Sequence, residues 1–206
     1  MQIVQDSGQL SNWKGCALIP TMGALHEGHL SLVRAASHEW PGPVVVTIFV
    51  NPTQFGNKDD LLNYPRTLEQ DLQQLRSLGV AAAFTPSVKM VYPAGHQLWQ
   101  PPLPPVAITP QLEDLHRPEH FAGVAQVVAR LIDLCQPHRL LLGEKDYQQL
   151  RVITEMVERE SKRWPGLVVE GHPTIREPDG LAMSSRNQLL TISERPRALG
   201  LMSALQ

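Results

Sequence analysis

The sequence predicts an α/β fold built on an open parallel sheet, and three observations carry that reading. Short apolar runs of strand length alternate with longer runs of helical period along the 206 residues. Val44-Val45-Val46-Thr47-Ile48-Phe49-Val50 is continuously apolar rather than alternating, the pattern of a parallel strand covered by helices on both faces. The apolar run Cys16–Ile19 passes through Pro20-Thr21-Met22-Gly23-Ala24-Leu25-His26-Glu27-Gly28-His29 into a helix-periodic stretch (Leu30, Leu32, Val33, Ala36), which reads as strand, tight turn and helix start.

The elements follow in order. After a polar start, the first strand covers Cys16–Ile19, and its helix runs to about Trp40, where Pro41-Gly42-Pro43 stops it. The second strand, Val44–Val50, ends at Asn51-Pro52-Thr53-Gln54-Phe55. Thr67 and Gln70 are spaced as a capping box for a helix over Leu68–Leu78, closed by Gly79, and Val80–Thr85 is the third strand. From Pro86 to His120 the pattern dissolves into loop, and seven of the 18 prolines crowd between Pro93 and Pro118. Phe121–Cys135 is apolar on a wide arc, so it reads as a well-buried helix stopped by Pro137. Arg139–Gly143 is the fourth strand, Tyr147 to about Ser161 a helix, and Leu167–Glu170 the fifth strand. A last helix is expected over Ser193–Gln206, within which the sequence stops, so the chain is expected to be part of something longer.

Composition narrows the function classes. Hydrophobic residues are 42% and charged ones 18%, ordinary for a globular domain, and a formal net charge of −2 leaves no basic footprint for nucleic acid. No apolar run approaches the ~18 residues of a membrane span, and the N-terminus lacks a signal-peptide pattern. A soluble, cytoplasmic protein is expected, with no nucleic-acid or membrane partner. Cys16 and Cys135 each sit in an apolar run and are expected to be buried, reduced thiols.

Chemistry concentrates where strands end. A strand–turn–helix junction aims backbone N–H groups and the positive end of the helix dipole at one spot, which suits phosphate. His26 and His29, at i and i+3, share one face of the first turn and can donate to phosphate oxygens, with Gly28 permitting close approach. The alternative is that they only cap the helix. A zinc helix needs its histidines at i, i+4, so this spacing argues against zinc. In an open parallel sheet ligands lie beyond the carboxyl ends of the strands, so Asn51 and Gln54 would point to the same place, unless Asn51 serves only its turn. Lys145 in Glu144-Lys145-Asp146 is either a point charge for phosphate or a solvated surface lysine. Met183-Ser184-Ser185-Arg186-Asn187 offers two hydroxyls and a guanidinium in a row. His96, His116 and His120 are expected to be ordinary loop histidines.

Taken together, the stretch from Pro20 to His29, Phe49-Val50-Asn51-Pro52-Thr53-Gln54-Phe55, Tyr64-Pro65-Arg66-Thr67, His120-Phe121-Ala122-Gly123-Val124, Gly143-Glu144-Lys145-Asp146-Tyr147 and Met183-Ser184-Ser185-Arg186-Asn187 closely resemble the pantothenate synthetase (pantoate–β-alanine ligase) family across nearly the whole chain. The resemblance implies a Rossmann-like, doubly wound parallel sheet of the nucleotidylyltransferase type over residues 1–178, with the start of a smaller C-terminal lid domain over 179–206. It implies an ATP-dependent, AMP-forming ligation of pantoate and β-alanine through pantoyl adenylate, with Mg2+ as cofactor and a homodimer as the assembly.

Residue by residue, the resemblance places ATP against Pro20, Thr21, Met22, Gly23, Ala24, Leu25, His26, Glu27, Gly28 and His29, against Gly143, Glu144, Lys145 and Asp146, and against Ile175, Met183, Ser184, Ser185 and Arg186. His29, His26 and Lys145 are the catalytic candidates, His29 as proton donor. Gln54, Gln149, Asn51 and Arg117 are expected at pantoate or the phosphates, and Asp71 falls near a magnesium-interacting carboxylate. Some members are fused to a cytidylate kinase, for which these residues carry no Gly-x-x-x-x-Gly-Lys-Ser/Thr loop. The alternatives are a nucleotide-binding fragment with little turnover and another nucleotidylyltransferase of the same fold.

Overall fold

Six parallel strands form one sheet in a computed structural model that describes residues 1–95, 97–109 and 111–204. They are β1 (Gln2–Val4), β2 (Ala17–Thr21), β3 (Val44–Ile48), β4 (Ala82–Phe84), β5 (Arg139–Gly143) and β6 (Val168–His172), in the spatial order β1-β4-β3-β2-β5-β6. The helices are α1 (Glu27–Glu39), α2 (Lys58–Asn63), α3 (Leu68–Ser77), α4 (Val88–Val91), α5 (Glu113–His116), α6 (His120–Cys135), α7 (Tyr147–Arg159), α8 (Arg195–Ala198) and α9 (Gly200–Ala204). None of the helices among the described residues is long and apolar enough to cross a membrane.

Strands that are apolar at every position need cover on both faces, and they have it. Leu18, Val45, Leu140 and Leu142 pack with Val124, Val128 and Ile132 of α6 and Ile153 and Met156 of α7. Their sequence neighbours Ala17, Ile19, Val44, Val46 and Leu141 point the other way, into Leu32, Val33 and Ala36 of α1 and Leu72 and Leu75 of α3. Burial also keeps both thiols protonated, pushing Cys16 up to about 12 and Cys135 higher still.

Strand order fixes where a site can form. From β2 the chain steps through β3 to β4, then crosses back to β5 on the other side of β2 and on to β6. The order reverses between β2 and β5, and the loops leaving these two strands diverge to helices on opposite faces, opening a crevice at their carboxyl ends.

The structure departs from the sequence reading in several places. The polar start contains the edge strand β1, in register with β4 from Gln2↔Ala82 to Val4↔Phe84. The proline-rich segment carries two single-turn helices, α4 and α5. Thr67 makes no capping bond to α3. The expected C-terminal helix is broken into α8 and α9, and its last two residues, like His96, lie outside the described residues.

Candidate active site

The turn after β2 reverses the chain through two left-handed residues, Gly23 at φ +80° and Ala24 at φ +49°. Glycine adopts that conformation freely; alanine does so only if something holds it. Asp71 of α3 does so. It is 1% exposed and accepts the N–H groups of Ala24 (2.9 Å) and Leu25 (2.8 Å), while Thr67 donates its hydroxyl to it (3.1 Å). Thr67 thus serves Asp71 instead of the expected capping box. Asp71, expected near a magnesium-interacting carboxylate, has both oxygens occupied by donors of the protein itself.

The same turn engages its own backbone donors. Gly23 N–H goes to Thr21 Oγ1 (3.2 Å), His26 N–H to His29 Nδ1 (3.3 Å) and Gly28 N–H to His26 Nδ1 (3.1 Å). Five N–H groups of this junction, those of Gly23, Ala24, Leu25, His26 and Gly28, are thus engaged by side chains of the protein itself. His26 and His29 form a reciprocal capping box at the start of α1, their ring centroids 4.1 Å apart. The histidines cap the helix, as one of the two alternatives has it, and both rings also line the crevice at the strand ends.

That box fixes their chemistry. An Nδ1 that accepts an N–H is unprotonated, so each neutral ring carries its hydrogen on Nε2 and donates from there. Burial, then the fields of His26 and Lys145, push His29 down to about 3. His26 is lowered by burial and Lys145, against opposing pulls from Glu177 and Asp146. Both rings are neutral donors near pH 7. Gly28 is needed for the rings more than for a ligand, because a Cβ there would lie 2.9 Å from His26 Cε1.

A crevice of ≈ 210 Å³ opens at the reversal of strand order. Pro20, Thr21, Met22, His26, Gly28 and His29 line it from the β2 side, and Gly143, Lys145, Asp146 and Gln149 from the β5 side. Ile175, Met183, Ser184, Ser185 and Arg186 close it from beyond β6, and Asn51 and Gln54 from beyond β3. Gly23, Ala24 and Leu25 shape the turn without lining the crevice. Glu27 turns outward to pair with Arg34, and Glu144 is exposed. Arg117 lines an adjoining groove that shares Lys145, Asp146 and Gln149. Among the described residues no group of three or more His, Cys, Asp or Glu side chains is placed to hold a metal.

The Ser-Ser-Arg segment is tied to the rest of the crevice. Ser184 Oγ accepts the Arg186 N–H (3.3 Å), and Ser185 donates its hydroxyl to the Ala24 carbonyl (2.9 Å). Arg186 grips Asp60 of α2 with Nε (3.1 Å) and an Nη (2.9 Å), its guanidinium 5.2 Å from the Tyr64 ring. Arg186 therefore lines the crevice with its guanidinium held by a carboxylate.

The chain matches the Pantoate-beta-alanine ligase family over residues 2–206. It belongs to that family. A pantothenate synthetase of Mycobacterium ulcerans is 52% identical over 188 residues, which are 91% of this chain and 58% of that protein. One of Mycobacterium tuberculosis is 51% identical over 184 residues, 89% of this chain and 58% of the relative. The chain thus spans a little over half the length of these curated relatives. Among solved structures, a pantoate-β-alanine ligase (pantothenate synthetase) of Thermus thermophilus superposes with a TM-score of 0.90 at 45% identity, covering 100% of this chain and 73% of that one. A pantoate-β-alanine ligase of Francisella tularensis superposes with a TM-score of 0.85 at 41% identity, covering 96% and 76%. The Rossmann-like, doubly wound parallel fold expected from the sequence is that of these ligases.

Three residues of this pantoate–β-alanine ligase family chain surround the site without having been expected there: Tyr64 lines the crevice, His120 lines the adjoining groove, and Asp60 holds Arg186. His120, expected to be an ordinary loop histidine, opens α6 and places Nδ1 3.0 Å from the Gln54 carbonyl, where Arg117 also donates (3.0 Å). It lies within one of the family motifs, which was the available signal. Tyr64, in Tyr-Pro-Arg-Thr, lies beneath Arg186. Asp60 gave no signal, because nothing local marks a carboxylate whose partner is 126 residues away. Asn51, expected to face a ligand, is 1% exposed and engages its amide within the protein.

Proposed function

We propose that this crevice joins pantoate and β-alanine to give pantothenate with cleavage of ATP, by way of pantoyl adenylate. The observation that carries the reading is the pair of neutral imidazoles at the reversal of strand order, lining one crevice with Lys145, Ser184 and Arg186. The Francisella tularensis relative is described as complexed with β-γ ATP and β-alanine, which supports those two ligands for this chain.

In the first step a pantoate carboxylate oxygen attacks the α-phosphorus, and the bond to the bridging oxygen breaks to release pyrophosphate. Negative charge grows on the leaving group, so donors fixed in advance lower the barrier. His26 and His29 supply Nε2–H groups, Lys145 a point charge, and Arg186 a guanidinium once it leaves Asp60. A ring held neutral stabilises charge by hydrogen bonding and need not transfer a proton. In the second step the β-alanine amine attacks the acyl carbon of the mixed anhydride and AMP departs. In this reading Gln54 and Gln149 meet the hydroxyl and carboxylate of pantoate, and backbone groups of Gly143 and Ile175 meet the nucleotide.

Among the described residues no cluster of three or more His, Cys, Asp or Glu side chains is placed to cage magnesium, and Asp71 is taken up in holding the turn, so an ion would arrive on the triphosphate. A homodimer working in the cytoplasm, with residues 179–206 beginning a lid, completes the proposal.

The test is mass spectrometry of the chain mixed with ATP, Mg2+ and pantoate. Pantoyl adenylate should accumulate without β-alanine and be replaced by pantothenate and AMP when β-alanine is added. An adenylate formed equally well from an amino acid, or none at all, would sink the reading.

A further inference from the structure

Asn51 is the buried centre of a polar network in which each atom's role is decided by its neighbours. Its Oδ1 accepts from Thr53 N–H (3.3 Å), from the Thr53 hydroxyl (3.0 Å) and from the Tyr92 hydroxyl (2.7 Å). The Thr53 N–H can only donate, so the atom it meets is the oxygen and the other end of the amide is the NH2; the two hydroxyls, 3.2 Å apart, complete the group around Oδ1. That NH2 donates to the Gly123 carbonyl (3.3 Å) and to Gln54 Oε1 (3.1 Å). Gln54 lines the crevice, and with Oε1 already accepting from Asn51, the end of its amide left for a ligand is the Nε2 donor.

We propose that Tyr92, which does not itself line the crevice, is a positioning residue for substrate recognition: through Asn51 it sets the Gln54 amide with its N–H2 toward the crevice, so that Gln54 selects a carboxylate or hydroxyl oxygen. The identity of that ligand as pantoate rests on the function proposed above. Tyr92 reaches the site from the end of α4, at the start of the proline-rich segment, which gives that segment a purpose beyond connection. Gly123 keeps the relay closed. A Cβ there would lie 2.5 Å from the Thr53 carbonyl oxygen and 3.0 Å from Gln54 N, so only glycine lets α6 approach the turn that carries Asn51 and Gln54. Without the Tyr92 hydroxyl, Asn51 Oδ1 loses its shortest contact, both amides gain freedom to flip, and a flipped Gln54 presents an oxygen where a carboxylate needs a donor.

Two measurements on Tyr92→Phe test this, and the first needs no ligand. The side-chain NH2 of Asn51, followed by NMR in D2O, should exchange about three- to tenfold faster in Tyr92→Phe than in the wild type, the change expected for one neutral hydrogen bond. An unchanged rate overturns the relay whatever the protein's substrate is. In the second, calorimetry should show pantoate binding weakened about three- to tenfold with ATP binding unaltered. Equal weakening of both ligands would mean a general loss of structure, and no weakening would mean that Gln54 is set without Tyr92; either overturns the proposal. A wild-type chain that binds ATP but no pantoate, with the exchange difference present, would instead overturn the substrate assignment and leave the orientation of Gln54 standing.

Discussion

At His29 two demands meet on one ring. Its Nδ1 accepts the His26 N–H at 3.3 Å, and the ring lines the crevice. Burial, then the fields of His26 and Lys145, push the group down to about 3, so Nδ1 stays unprotonated and that contact is kept. The consequence for stability has a definite sign. Below the unfolded value of about 6.5 the unfolded chain takes up a proton that folded His29 refuses, so stability is full above about pH 6.5 and falls as pH drops toward 3. The urea midpoint should decrease between pH 7 and pH 5. The consequence for activity is that kcat/KM should show no loss with rising pH near 6.5, as a catalytic imidazolium would cause. A falling limb there would contradict the neutral ring. That His26 and His29 share a face was legible from their spacing; their protonation was not, since it depends on burial and on a lysine 116 positions along the chain from His29.

Among the elements, α3 matters to the site more than its sequence announces. Asp71 joins it to the turn after β2 by accepting Ala24 and Leu25 N–H groups 47 and 46 residues distant. Replacing Asp71 by Asn turns one acceptor into a donor facing an N–H, and should cost about 1.5–3 kcal/mol in urea unfolding. The continuous apolar run of β3 was readable because burial on both faces leaves no other pattern. β1 was not readable, because three residues on a sheet edge are too few to show a period. The contacts of Asn51, Asp71 and Asp60 were hidden for a common reason: each has a partner far away in sequence, and only the sheet's topology brings them together.

For the whole molecule, the site follows from a single feature of chain routing, the reversal between β2 and β5. It places the imidazoles of one loop opposite the lysine of another, and the Ser-Ser-Arg segment beyond β6 closes the third side. Arg186 rests on Asp60 in this arrangement, with its guanidinium at the crevice. In the proposed reaction this convergence performs adenylation through fixed donors. Exchange of labelled pyrophosphate into ATP, measured with Mg2+ and pantoate and without β-alanine, tests it most directly when wild type and His29→Ala are compared. The account predicts pantoate-dependent exchange by the wild-type chain and a decrease of about 10²–10³-fold in His29→Ala, the loss typical of one preorganised donor. Exchange at an equal rate in both would remove His29 from the chemistry, and with it the neutral-donor account of this site.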